Sequence, residues 1–175
     1  MFVIPDNKKV WLLSDTHFYH SRIIEYCDRP FKSVQEMNET MFNNWCETVA
    51  DDDIVFFLGD FVMGVGLLKQ QIFKELYDAL PGEKYFLRGN HDEKITSVEL
   101  IEDRYIISYK GKTITLCHFP SNEFDTDFYI HGHIHSKTFR RFDKDEDKNI
   151  FNVNVESIDY RPINLDKILA EEIVQ

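Results

Sequence analysis

Short apolar runs separated by amphipathic stretches set the frame of this chain. Val10–Leu13, Ile54–Leu58, Tyr85–Leu87, Tyr105–Ser108, Thr113–Cys117 and Phe128–Ile130 are brief and rich in β-branched and aromatic residues, and they predict strands. Thr138–Phe142 and Ile150–Val155 predict a late hairpin. Between the early runs the period turns helical. Val34, Met37, Met41, Trp45 and Val49 follow Ser33-Val34-Gln35-Glu36, a capping box in which Ser33 and Glu36 would satisfy each other's free backbone N–H groups. Leu68, Ile72, Leu76 and Leu80 predict a second helix, stopped by Pro81-Gly82, and a third is expected from Leu165 to about Val174. Strands alternating with helices imply an α/β fold. The later half is strand-rich without long helices, so part of its sheet is expected to be antiparallel. No repeat or linker divides the chain, and residues 1–175 read as one domain.

Composition narrows the functional classes. The 175 residues are 43% hydrophobic and 14% aromatic, with 15 Phe, which suits one sizeable, aromatic-rich core. The formal charge of −11 counts against a sequence-independent binder of duplex nucleic acid, which usually presents a basic face. An acidic body also repels phosphate at long range, so a phosphate substrate would need local positive charge, which two divalent cations would supply. Three cysteines, Cys27, Cys46 and Cys117, without paired spacing argue against a disulfide framework. The N-terminus has no basic region followed by an apolar run, and no stretch approaches the ~18 consecutive apolar residues of a membrane span. A cytoplasmic location is the simplest expectation. The charged run Asp143–Lys148 lacks the glycine and closing glutamate of a calcium loop and reads as a solvated hairpin tip.

The candidate chemistry lies just past the strands. Asp15-Thr16-His17 follows the first, Gly59-Asp60 the second and Gly89-Asn90-His91-Asp92 the third. His118 ends the Thr113–Cys117 strand, and His131-Gly132-His133-Ile134-His135 follows Phe128–Ile130. In open α/β sheets ligands bind beyond the carboxyl ends of strands, so five blocks distant in sequence would meet on one rim. Carboxylate, imidazole and one amide oxygen suit borderline or hard divalent ions: Mn²⁺ foremost, with Fe²⁺, Ni²⁺, Zn²⁺ or Mg²⁺ also compatible. Two ions roughly 3.5–4 Å apart need a shared ligand, and Asp60 is the candidate bridge. A lone Asp-x-His is a weak signal and a lone histidine is more often a hydrogen-bonded core residue; all five blocks in this order form a strong pattern.

The chain resembles the calcineurin-like metallophosphoesterase superfamily, whose pattern is Asp-x-His, Gly-Asp, Gly-Asn-His-Asp/Glu, His and Gly-His-x-His. The resemblance runs from Asp15 to His135. It implies a sandwich of two mixed β-sheets flanked by helices, with the metals at the carboxyl ends of strands. It implies further that Asp15, His17, Asp60 and His135 hold one cation, that Asp60, Asn90, His118 and His133 hold the other, and that His91 touches substrate and not metal. One departure stands out. The family's protein phosphatases extend Gly-Asp to Gly-Asp-x-Val-Asp-Arg, whereas this chain reads Gly59-Asp60-Phe61-Val62-Met63-Gly64, with Met63 where an aspartate would orient the catalytic histidine. That weakens a phosphoprotein-phosphatase reading. Ser14 through Ile24 resembles a small bacterial and phage branch of the superfamily.

The expected activity is hydrolysis of a small or nucleotide-like phosphoester, as phosphodiesterase or phosphomonoesterase, with His91, Asn90 and Asp60 at the reacting centre and His91 as general acid. A nuclease for single-stranded nucleic acid uses the same chemistry, but a basic, aromatic-lined channel is not legible. A metal-bound scaffold without activity should have lost ligands, and none is missing. His131 is expected to orient a neighbouring ligand by a hydrogen bond. His20 either reaches substrate or sits on a loop. Arg22 and Arg88 suit phosphate by chemistry and a surface ion pair by base rate. Asp92 either supports a ligand or caps the next turn. Cys117 points away from the rim by strand alternation. Oligomeric state is not readable.

Overall fold

The computed structural model describes residues 1–139 and 149–171. Among the described residues nine strands form two mixed sheets. One has four strands in the order β4 (Glu83–Phe86), β3 (Ile54–Phe57), β2 (Val10–Leu13) and β9 (Ile163–Asn164). The other has five: β1 (Phe2–Val3), β5 (Tyr105–Tyr109), β6 (Lys112–Cys117), β7 (Phe128–His131) and β8 (Ile150–Asn152). β2, β3 and β4 run parallel and β9 antiparallel to β2. In the larger sheet only β5–β6 is antiparallel. The expected antiparallel character of the later half is therefore found in the β5–β6 hairpin and in β9.

Parallel strands carry apolar residues on both faces because both faces are covered. Trp11 and Leu13 of β2, Val55 and Phe57 of β3, and Phe86 of β4 pack against α2 (Val34–Thr48) and α3 (Gly66–Ala79). The opposite faces, with Val10, Leu12, Ile54 and Phe56, meet Ile107, Ile114, Leu116, Phe128, Ile130 and Phe151 of the larger sheet. The first core is aromatic, as expected: Phe57 and Phe86 stack at 4.7 Å, and Phe61 lies edge-on to Phe57, Phe73 and Phe86 at 5.0, 4.9 and 5.0 Å.

Several local expectations are corrected. Ser33 Oγ accepts from Glu36 N–H at 3.2 Å, but the Glu36 carboxylate accepts from Lys32 N–H, one residue before the cap. Leu68 is solvent-exposed, and α3 instead buries Lys69 and Phe73, because it begins at Gly66 and turns that face inward. The late hairpin is not formed as expected. Its second arm, β8, covers only 150–152 and pairs in parallel with β7; Thr138 and Phe139 are not strand, although Phe139 O accepts from Asn152 N–H. Residues 140–142 of the first arm and the Asp143–Lys148 run lie outside the described residues, as does the end of the third helix, whose described part is α4 (Leu165–Leu169). α1 (Ile23–Tyr26), β1 and β9 were not expected; each is too short to carry a period.

Beyond the strand ends the two sheets are stitched together. Ser14 N–H donates to Val153 O and Val155 N–H to Ser14 O, a parallel bridge between the continuations of β2 and β8. This seam brings the loops of both sheets to one rim. No helix among the described residues is long and apolar enough to cross a membrane.

Candidate metal centre

Two loops carry the first candidate ligands. Asp15 and His17 follow β2 with φ of 59° and 47°, and Asp60 follows β3 with φ of 63°, all in the left-handed region that costs a non-glycine residue energy. Glycines let these loops meet backbone to backbone. A Cβ on Gly59 would stand 2.7 Å from Gly89 Cα; one on Gly89 would run into the Asp60 carboxylate.

Every carboxylate oxygen in the centre has an assigned direction. Asp60 Oδ1 accepts from His91 N–H at 2.8 Å, which leaves Oδ2 pointing between two histidines, 3.6 Å from His17 Nε2 and 3.5 Å from His118 Nε2. Asp15 Oδ2 accepts from Ser14 Oγ–H and His133 N–H. Asp15 Oδ1, fully buried, has no hydrogen-bond partner and lies 4.0 Å from His17 Nε2 and 3.8 Å from His135 Nε2. His118 Nδ1 donates to Leu58 O at 2.7 Å, so the neutral ring keeps its lone pair on Nε2. That atom is 3.0 Å from Asn90 Oδ1, which is itself 3.1 Å from His133 Nδ1. Possible ligand atoms thus converge in two groups, Asp15–His17–His135 and Asp60–His118–His133, each within 4.8 Å of one another. A buried carboxylate oxygen without a hydrogen-bond partner, Asp15 Oδ1, set between two histidine nitrogens is an arrangement a cation completes. The residues fit divalent ions.

The electrostatics favour neutral rings at His17 and His133 but not at His135, which, against its burial, the Glu156 hydrogen bond and Asp15 hold above the usual histidine range. Burial pushes the Asp15 carboxyl up to about 6, despite opposing contributions from His118, His135 and Ser14. Burial, with His135 and Arg29 nearby, keeps His17 well below the usual histidine range, and burial also lowers His133. Neutral imidazoles are the ligand form.

All seven sequence-predicted ligands, Asp15, His17, Asp60, Asn90, His118, His133 and His135, meet here. His91 is exposed on a 3₁₀ turn (Asn90–Asp92), its ring centroid 5.2 Å from that of His17. Asp92 Oδ2 accepts from the N–H groups of Asp60 and Gly89, so it holds the Asp60 loop in place. His20 Nδ1 accepts from Ile23 N–H, while its ring stays 5.9 Å from His17. His131 is buried, with Nδ1 2.7 Å from Gly132 O. Arg88 pairs with Glu102 and donates to Asp92 O, while Arg22 is exposed. Cys117 packs with Tyr129 and Ile150 on the face of the larger sheet turned away from the sandwich interior.

Sequence reading missed three contributors. Arg29 and Glu156 are buried beneath Asp15 and His135, and Lys69 donates to His91 O. Arg29 and Lys69 lie in no block past a strand, Glu156 follows the Ile150–Val155 run without a histidine or aspartate block to mark it, and Arg29 and Glu156 are 127 residues apart, so no spacing pointed to them.

Residues 8–171 match the family model described as calcineurin-like phosphoesterase, and the chain belongs to that family of metal-dependent phosphoester hydrolases. It is 41% identical over 167 residues to an uncharacterized protein of Methanocaldococcus jannaschii, covering 93% of this chain and 90% of that one. It is 33% identical over 82 residues to the gene 66 protein of Mycobacterium phage L5, covering 47% of this chain and 39% of that one. A solved structure of an Aquifex aeolicus protein of unknown function aligns with a TM-score of 0.72 at 28% identity, covering 94% of this chain and 99% of that one.

Proposed function

We propose that this protein hydrolyses a small or nucleotide-like phosphoester with two divalent cations, Mn²⁺ foremost, held side by side across Asp60. The observation that carries this reading is Asp60 Oδ2, placed 3.6 and 3.5 Å from the Nε2 atoms of His17 and His118, each in a different ligand group. When bound, the cations would supply positive charge for the phosphoryl oxygens and acidify an attacking water.

The chain's own residues supply the rest. His91 stands free of the ligand groups, beside His17, and lines a cavity of ≈ 520 Å³ with Gly64, Lys69, Gln70, Lys94 and Thr96. A leaving group seated there would take its proton from His91. Asp60 Oδ1 fixes the His91 backbone, and Lys69 holds the His91 carbonyl, so the turn that presents the ring is anchored from two sides.

The test is Mn²⁺ titration followed by calorimetry, with hydrolysis of bis-nitrophenyl phosphate as the activity. Two ions per chain and metal-dependent turnover are expected. Asp60→Asn should weaken binding of both ions and lower turnover by at least about 10²-fold. One ion per chain, unchanged by Asp60→Asn, would falsify the shared-ligand reading. Two ions without turnover would leave a metal-bound scaffold.

A further inference from the structure

Beneath Asp15 and His135 lies a buried chain of charged groups that none of the ligand assignments uses. Arg29, 4% exposed, donates from Nη2 to Asp15 O at 2.8 Å, from Nη1 to Thr16 O at 2.9 Å and from Nε to Glu156 Oε1 at 2.8 Å. The same Glu156 Oε1 is 3.0 Å from His135 Nδ1, while Oε2 accepts from Asn154 Nδ2 at 2.8 Å. His135 Nε2 then looks at Asp15 Oδ1, 3.8 Å away. The contacts close a ring that starts at the Asp15 carbonyl and returns to the Asp15 carboxylate.

We propose that Arg29 and Glu156 are positioning residues that preset one half of the metal centre: Glu156 selects the His135 tautomer, and Arg29 locks the Asp15–His17 turn. The inference rests on the metal reading above. A carboxylate at Nδ1 demands a proton there, and a neutral ring with its proton on Nδ1 carries its lone pair on Nε2, toward Asp15 and His17. The turn itself holds Asp15, His17 and Tyr19 at φ of 59°, 47° and 67°, a conformation that persists only where the surroundings impose it. Two guanidinium N–H groups on its two carbonyls provide that restraint. Arg suits the task because its planar fork reaches Asp15 O, Thr16 O and Glu156 from one rigid group, which a lysine cannot do.

Cys27, His135 and Glu156 also lie close enough to be read as a third cation group. The guanidinium already sits 2.8 Å from Glu156 Oε1 and supplies the positive charge there. Burial, with Glu156 adding to it, pushes the Cys27 thiol up to about 11, away from the thiolate a metal needs. The cluster is a mount for His135.

The experiment compares the full chain with Glu156→Ala, Glu156→Gln and Arg29→Lys. Mn²⁺ calorimetry should show one of the two ions weakened by about 10–100-fold in Glu156→Ala, with the other retained. Glu156→Gln, which keeps the volume and one acceptor, should lose less. Arg29→Lys should lose affinity at the same ion. Two-dimensional ¹⁵N spectra of metal-free protein, at a pH where His135 is neutral, should report the Nδ1–H tautomer in the parent and a mixed or Nε2–H tautomer in Glu156→Ala. If Glu156→Ala fails to fold, Glu156→Gln is read in its place. Unchanged tautomer and unchanged ion affinities in a folded variant would overturn the inference. Absence of Mn²⁺ binding by the parent would instead sink the metal reading and leave the tautomer result to stand by itself.

Discussion

A single methyl group added at Gly89 would enter the space of the Asp60 carboxylate. Gly89→Ala is therefore expected to lose Mn²⁺ stoichiometry even where circular dichroism shows a folded chain. His91→Ala should cost about 10²–10⁴-fold on an alkyl phosphoester, which needs protonation as it leaves, and far less on a nitrophenyl ester. Equal losses on both substrates would remove its role as general acid. Cys27, with its thiol pushed up to about 11, should alkylate slowly at pH 8 and faster as the pH approaches 11, which peptide mass mapping reads directly. At this scale the sequence was informative where chemistry came in compact blocks. Asp15-Thr16-His17 and His133-Ile134-His135 announce themselves by residue type and spacing. Glu156 does not, because it follows the Ile150–Val155 run as a single carboxylate, and its meaning depends on Arg29, 127 residues away in sequence.

Among the elements, β3 and α2 show most plainly what packing contributes. Phe57 is fully buried, against Phe86 at 4.7 Å, Phe61 at 5.0 Å and Trp45 at 6.2 Å. Phe57→Ala should cost about 3–5 kcal/mol in urea denaturation, through lost burial and the cavity left behind. Ser33→Ala, which removes only the acceptor for Glu36 N–H, should cost about 1 kcal/mol. Six strands and both long helices were legible because they span enough residues to show a period. β1 and β9, two residues each, could not be. The Leu68–Leu80 stripe misled at its start: Lys69 takes the inward position because its amine reaches the His91 carbonyl, a polar use of a core-facing site that apolar spacing cannot reveal.

For the whole molecule, the decisive arrangement is that each ligand group draws on both sheets. Asp15 and His17 leave the four-stranded sheet and His135 the five-stranded one; Asp60 leaves the former and His118 and His133 the latter. Cations bound there tie the layers together, so Mn²⁺ at about 100 times its dissociation constant should raise the melting temperature by roughly 5–10 °C, reversed by chelator. The same geometry orders events along the chain. Residues 10–86 can assemble α2, α3 and the three parallel strands from near neighbours, yet they hold only Asp15, His17 and Asp60 of the ligand set. Of the remaining donors Asn90 follows β4 directly, while His118, His133 and His135 belong to the last third of the sequence, so neither group of donors is complete until the second layer has docked. Refolding rates should then be indifferent to Mn²⁺ while unfolding rates fall with it, a kinetic signature that stopped-flow chevrons would display as one moving limb and one fixed limb.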